Sequence, residues 1–244
     1  MNIEIIKNDT KITSVEDWYK VAPPKKPAEQ WKDGRSAKEL ARFVTGPSFG
    51  EFVKLLLKNM GIKEQDFVCE PEAETRFEIQ SSLEQIDLGV SGPRNHDLLM
   101  TGKTCVIGVE AKVSEKFGEY TVKKEWEKAC TPNKREKRIS GLIQFLSDGV
   151  YQDYEHTPDS IKELQYQLFT ATVGTILEAK RKVIKEAIVL VMVFKGNVAK
   201  EDDYNTKCDN NDAAFNAFKN AFFVNNPMAI QGVNCRIIKQ EVWI

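Results

Sequence analysis

The chain reads as an α/β protein built on a mixed sheet with helices on both faces, and three observations say so. Cys105 to Val113 alternates with period two and is rich in β-branched residues, which marks a strand. It follows a second apolar run, Asp97 to Thr101, across the turn signal Thr101-Gly102-Lys103-Thr104, so the two are expected to pair as an antiparallel hairpin. Ala187 to Phe194 is continuously apolar, as a central strand covered on both faces must be. It is reached through a long helical pattern, Ile161 to Lys182, of the kind a crossover to a parallel neighbour needs.

The remaining elements follow in chain order. Ile3 to Ile6 has strand character, and Pro23-Pro24 and Pro27 separate it from the rest, so this N-terminal part reads as an arm laid on the surface. Ser36-Ala37-Lys38-Glu39 has the form of a capping box and opens a helix through Phe43, with Trp31 and Arg35 packed on or bracing it. Gly46-Pro47 breaks that helix. Glu51 to Asn59 makes an amphipathic one with Phe52, Leu55 and Leu56 inward, closed by Gly61. Phe67-Val68 and Phe77-Glu78-Ile79 have strand character, with Glu70, Glu72 and Glu74 between them. Ser81 to Asn95 reads as a loop over the hairpin, long enough to gate a site or touch a ligand.

After the hairpin, Thr121 to Ala129 and Ile139 to Leu146 look helical, with Trp126 as a core anchor. The long pattern from Ile161 carries Leu164, Leu168, Ala171 and Ile176 or Ala179 on one stripe. Its Gly174 costs about 1 kcal/mol relative to Ala, which implies that another element packs closely there. Asp202 to Asn211 reads as a polar loop, Ala213 to Phe222 as a helix with Phe215, Phe218 and Phe222 in the core, and Val233 to Ile244 as a terminal strand.

Composition narrows the function classes. The chain has 244 residues, 41% hydrophobic and 29% charged, enough for a sizeable core, and no linker-like shift divides it, so one domain is expected over 1–244. The N-terminus is too short and acidic for a secretory signal, and no run approaches the ~18 apolar residues of a membrane span; a cytoplasmic protein without a membrane partner is expected. The five cysteines (69, 105, 130, 208 and 235) are scattered without a CxxC pair and read as reduced thiols, with no zinc site. A net charge of −1 is not the footprint of a uniformly basic nucleic-acid binder. Local clusters exist at Lys123-Lys124, Lys134-Arg135 with Lys137-Arg138, and Lys180-Arg181-Lys182.

One feature of the hairpin does not fit a plain core strand. Cys105, Ile107, Val109, Ala111 and Val113 make its apolar face, while Glu110 and Lys112 stand side by side on the other, about 6.6 Å apart along the strand. Half-buried charges need a reason. If the turn residues are 102 and 103, Asp97 is diagonal to Glu110; if they are 103 and 104, Asp97 faces it. Either even-length loop puts both carboxylates on one face, with directly opposed Cβ atoms about 4.5–5.5 Å apart. Two converging carboxylates repel unless a cation neutralises them, and oxygen ligation suits Mg²⁺ or Mn²⁺.

The spacing Asp97, twelve residues, Glu110-Ala111-Lys112 resembles the active site of the PD-(D/E)xK, restriction-endonuclease-like nuclease superfamily. Arg94-Asn95-His96-Asp97, Val109 to Gly118 and Trp31 to Ala41 are similar to a little-characterised bacterial branch of it, over about Trp31 to Phe194. His96 stands where the superfamily's name has proline. The resemblance implies an αβββαβ core over 31–194, with an N-terminal arm (1–30) and a C-terminal helix and strand extension (195–244). It also implies hydrolysis of phosphodiesters, in DNA in preference to RNA, in restriction, phage defence or repair, with a homodimer as one arrangement for cutting both strands. Asp97, Glu110 and the Ala111 main-chain carbonyl would hold one or two Mg²⁺ ions, for which Mn²⁺ can substitute. Lys112 would steady the attacking water or act as base, and without metal would pair with Glu110. Glu74 is the candidate for a further acid, with Glu72 and Glu39 as substitutes, and Gln167 for a water- or phosphate-orienting amide. Replacing Asp97, Glu110 or Lys112 by Ala should abolish cleavage and leave the melting temperature nearly unchanged. The rival expectation is a catalytically silent module that binds nucleic acid or a protein. A two-carboxylate glycosidase is a remote third, since no aromatic sugar platform lies near the acids.

Overall fold

The computed structural model describes residues 1–80, 85–88, 93–113, 115–118, 120–128, 134–196 and 204–243. The chain opens with strands β1 (Ile3–Lys7) and β2 (Thr10–Lys11), passes through helices α1 (Val15–Val21), α2 (Pro27–Gln30), α3 (Ser36–Thr45) and α4 (Phe49–Asn59), and then lays down β3 (Phe67–Thr75), β4 (Glu78–Gln80), β5 (Gln85–Asp87), β6 (Arg94–Gly102) and β7 (Cys105–Lys112). Helices α5 (Val122–Glu127), α6 (Lys134–Leu146), α7 (Asp159–Lys162) and α8 (Tyr166–Arg181) lead into β8 (Glu186–Lys195), followed by α9 (Tyr204–Phe222), β9 (Met228–Ile230) and β10 (Val233–Trp243).

Eight strands form one mixed sheet in the order β2-β1-β3-β6-β7-β8-β10-β9, and β4 pairs with β5 apart from it. Strands β3, β6 and β7 are an antiparallel meander. β8 joins β7 in parallel, as its continuously apolar sequence and helical lead-in predict. From α4 the central order is therefore a helix, three strands, the helical segment α5 to α8, and a strand, with the β4-β5 hairpin inserted between β3 and β6. Both faces are covered. Leu40, Val44, Val53 and Leu57 of α3 and α4 pack on Ile107, Val109, Leu190 and Met192. On the other side Leu142, Phe169, Ile176 and Phe218 of α6, α8 and α9 pack on Val106, Val189 and Val191.

Several expectations need correction. The first 30 residues are not a surface arm: β1 adds to the sheet in parallel with β3, and Ile5, Ile12 and Trp18 are buried. Their apolar area holds them in the fold, and Pro23-Pro24 only redirects the chain after α1. The expected C-terminal strand is present as β10, which pairs in parallel with β8 from Asn234↔Glu186 to Trp243↔Lys195. Helix α3 is capped by Arg35 without a side-chain bond, so Ser36 does not close a capping box; the Glu39 carboxylate instead accepts from Gly34 N at 2.8 Å.

The pattern from Ile161 is broken because Val122 N donates to Leu164 O and Tyr166 N to Tyr120 O, which forces an extended link between α7 and α8. Helix begins at Tyr204 inside the expected polar loop, whose residues 202 and 203 lie outside the described residues. The expected gating loop, 81–95, is described in part, with 81–84 and 89–92 outside. Its β5 pairs with β4, Leu88 is buried against α6, and Asp87 bonds Lys137 at 2.6 Å, so these residues pack on α6. Among the described residues no helix is long and apolar enough to cross a membrane.

Candidate active site

The hairpin register is Leu98↔Val109, Leu99↔Gly108, Met100↔Ile107 and Thr101↔Val106, which leaves Lys103-Thr104 as a two-residue turn. This is the register in which Asp97 comes across from Glu110. The ladder stops before that pair. The β3–β6 ladder also skips a step there, from Pro71↔Leu98 to Ala73↔His96, and Glu72 takes a left-handed φ of 46°. The irregularity switches the face of β6: Leu98 and Met100 belong to the α3–α4 side, whereas Arg94 and His96 lie against α8. Asp97 sits at the switch, its Oδ2 accepting from Ala111 N at 2.7 Å.

Two glycines let α8 close over this end of the sheet. A Cβ at Gly108 would lie 2.1 Å from Thr175 Oγ1, and one at Gly174 would lie 3.1 Å from His96 Nε2, which is the close approach that a mid-helix glycine implied. Helix α8 thereby carries Gln167 and Thr170 to the hairpin.

Glu110 is the hub. It is 1% exposed, and its Oε1 accepts from Lys112 Nζ at 2.6 Å and from Gln167 Nε2. Its Oε2 accepts from the Arg94 guanidinium, which also donates to Thr170 Oγ1 at 2.8 Å. Burial would raise the Glu110 pKa, but Lys112 and Arg94 outweigh it and hold the carboxyl below the usual range. Burial would lower Lys112, but Glu110 and Asp97 hold it above its ordinary value, so it stands as an ammonium. Asp97 lacks such a cation in contact. Burial first, and then the Glu110 charge, push its carboxyl up to about 7. Glu72 is raised for the same leading reason, burial, with Glu110 adding repulsion.

These groups open into a cleft of about 530 Å³ lined by Glu72, Asn95, Asp97, Glu110, Lys112, Glu115 and Gln167 on the sheet and α8 side. The opposite side is supplied by the segment from Pro24 to Ala37, including Lys25, Lys32 and Arg35. Thus Asp97, Glu110, Lys112 and Gln167 meet in one cleft. Glu74 does not: it is exposed and does not line the cleft, because the left-handed turn at Glu72 aims that side chain inward in its place. Glu39 is buried against Gly34 and Arg42, in a structural role.

Arg94 and Glu115 were not singled out from the sequence. Glu115 accepts from Ser36 N at 3.0 Å and Val113 N at 2.7 Å, tying α3 to the end of the hairpin. The available signal was a charge placed three residues from each end of the Asp97 and Lys112 motifs. Each basic cluster noticed in the sequence has members engaged elsewhere. Lys123 pairs with Glu163, Arg135 with Glu125 and Arg181 with Glu178, and Arg138 stacks on Phe77 at 4.1 Å.

The donor chemistry fits a hard divalent cation in part. Asp97 and Glu110 offer carboxylate oxygens to the same cleft, and a cation between them would relieve the repulsion that raises Asp97. Glu110 already has both oxygens engaged, so a cation would share it with Lys112. Among the described residues no group of three or more His, Cys, Asp or Glu side chains is arranged to hold a metal.

Fold and site together define a mixed α/β protein with a buried acid–amine cluster at the floor of a two-sided cleft. Over residues 11–240 the chain matches a family described as a domain of unknown function (DUF6946), and it belongs to that family. No curated protein and no solved structure matches it.

Proposed function

We propose that this chain is a divalent-metal-dependent phosphodiesterase of the PD-(D/E)xK type that hydrolyses DNA. The observation that carries the reading is that Asp97, Glu110 and Lys112 line one solvent-open cleft at the end of a hairpin. The order helix, three strands, a helical segment ending in the long α8, and a strand parallel to the third supports the same reading.

Asp97 and Glu110, with the Ala111 carbonyl, would hold Mg²⁺, which would polarise the scissile phosphate and make a bound water acidic enough to yield hydroxide near neutral pH. Lys112 keeps its proton against Glu110, which supports a task of stabilising negative charge on the attacking oxygen and the phosphoryl group over one of removing a proton. Gln167 and Arg94 fix the Glu110 carboxylate from α8 and β6, so it does not swing when the cleft fills.

The test is a panel of single- and double-stranded DNA and RNA with Mg²⁺ or Mn²⁺, run on the parent protein and on Asp97→Asn and Lys112→Ala. Cleavage by the parent and a loss of at least about 100-fold in each variant is the expected result. One observation favours a second reading, a silent nuclease-like binding module: both Glu110 oxygens are already engaged by Arg94, Lys112 and Gln167. A parent protein that cuts nothing and takes up no Mn²⁺ would establish that module instead.

A further inference from the structure

The cleft has two chemically unlike sides. We infer that its N-terminal side, the segment from Pro24 to Ser36, is a binding wall for the phosphodiester backbone of one nucleic-acid strand, which it presents to the acids opposite. The inference rests on the phosphodiesterase reading and adds the residues that would hold the substrate.

Among the described residues the sheet side carries Glu72, Asp97, Glu110 and Glu115 beside the one ammonium of Lys112, while the wall brings Lys25, Lys32 and Arg35 against a single acid, Glu29, which pairs with Lys26. Neighbouring lysines of the same region are neutralised: Lys26 pairs with Glu29 at 3.3 Å and Lys38 with Asp33 at 2.8 Å. Among the described residues Lys25 and Lys32, which line the cleft, have no ion-pair partner. Lys25 lies close enough to Glu72 for its charge to lower the pull of burial on that carboxyl. A neutral ligand would leave both ammonium groups unused, and a metal ion alone would be repelled by them. A phosphate ester meets both sides, with its anionic oxygens toward the wall and a cation-bridged edge toward the acids.

Size selects one strand. A cleft of about 530 Å³ falls in the 300–1,000 Å³ range of sites that enclose one small ligand. A B-form duplex is wider than its own major groove, itself about 12 Å across, so it would lie over the mouth of such a space where a single strand can enter it.

The experiment measures binding of labelled single-stranded and blunt duplex oligonucleotides by fluorescence anisotropy in Mg²⁺ across a salt series. An Asp97→Asn background keeps the DNA intact, and Lys25→Gln/Lys32→Gln is compared with both lysines present. Both lysines are exposed, so the melting temperature serves as a check on folding. Removing two phosphate contacts should reduce the salt slope for single strands by about 1.4 and weaken binding about 25-fold at 0.1 M salt, with the single strand bound at least about tenfold more tightly than the duplex. An unchanged slope and Kd in the double variant, or a duplex bound as tightly as the strand, overturns the inference and leaves the phosphodiesterase reading standing. No binding of any nucleic acid with the lysines present overturns both.

Discussion

The two faces of β7 make the instructive comparison. On one, Cys105, Ile107, Val109 and Ala111 enter the apolar layer beneath α3 and α4. On the other, Val106 is apolar, Gly108 is bare to admit α8, and Glu110 and Lys112 are charged. All eight residues of the strand are buried, so burial does not distinguish the faces. What distinguishes them is where the partners come from. The apolar face needs only neighbouring side chains of the right volume, whereas Glu110 stays ionised because Lys112 stands beside it on the same strand and β6 supplies Arg94, while α8 adds the Gln167 hydrogen bond.

The comparison can be broken most severely at Glu110. Glu110→Ala leaves Arg94 and Lys112 buried without their counter-charge, which should cost about 3–5 kcal/mol and lower the melting temperature by on the order of 10 °C, besides ending cleavage. This replaces the expectation, drawn from the sequence, that such a substitution leaves melting nearly unchanged. On the apolar face Ile107→Ala should cost about 2–5 kcal/mol through the cavity it leaves. Cleavage per folded molecule, measured well below the transition, should be retained. An equal loss of activity in both variants would remove the functional distinction between the faces.

A smaller effect, of opposite sign, is expected at Asp97. Its folded carboxyl is raised to about 7 from 3.8, so the folded state binds the proton more tightly than the unfolded chain, and ionising it costs stability as pH rises from about 4 to above 7. Asp97→Asn should therefore stabilise the protein at pH 8 by about 1–2 kcal/mol and give no gain at pH 4, read by thermal melting in chelator. Glu110, held low, contributes in the other sense: its stabilisation is present above its unfolded value of about 4.5 and is lost as pH falls through the folded value. A melting gain for Asp97→Asn at pH 4 as large as at pH 8 would contradict the raised carboxyl. The smallest effect is at Glu74, where the exposed Glu74→Gln should change stability by less than about 0.5 kcal/mol and leave cleavage intact. Glu72→Gln, inside the cleft, should alter Mn²⁺ affinity measured by titration.

The sites of agreement and error follow a physical line. The hairpin, its even-length turn and the shared cleft of Asp97 and Glu110 were legible because strand periodicity and turn chemistry act over a few residues. Glu74 was the candidate acid by resemblance, with Glu72 as a substitute; Glu72 is the one in the cleft, at a left-handed φ that nothing in Glu70 to Thr75 announces. The basic clusters were visible as runs of charge, but the acidic partners of Lys123 and Arg135, at Glu163 and Glu125, are set by helix packing.

By itself the sequence determined the mixed α/β class, the hairpin that carries the acids and amine, and the buried parallel strand beside it, since each rests on local pattern and the face that pattern must bury. Tertiary structure alone decided that β1 and β10 extend the sheet, that Arg94 meets Glu110, and that a proline-bounded N-terminal segment walls the cleft with lysines. Those contacts join residues well apart along the chain, and what selects among such pairings is the packing of whole elements, which no short window of sequence records.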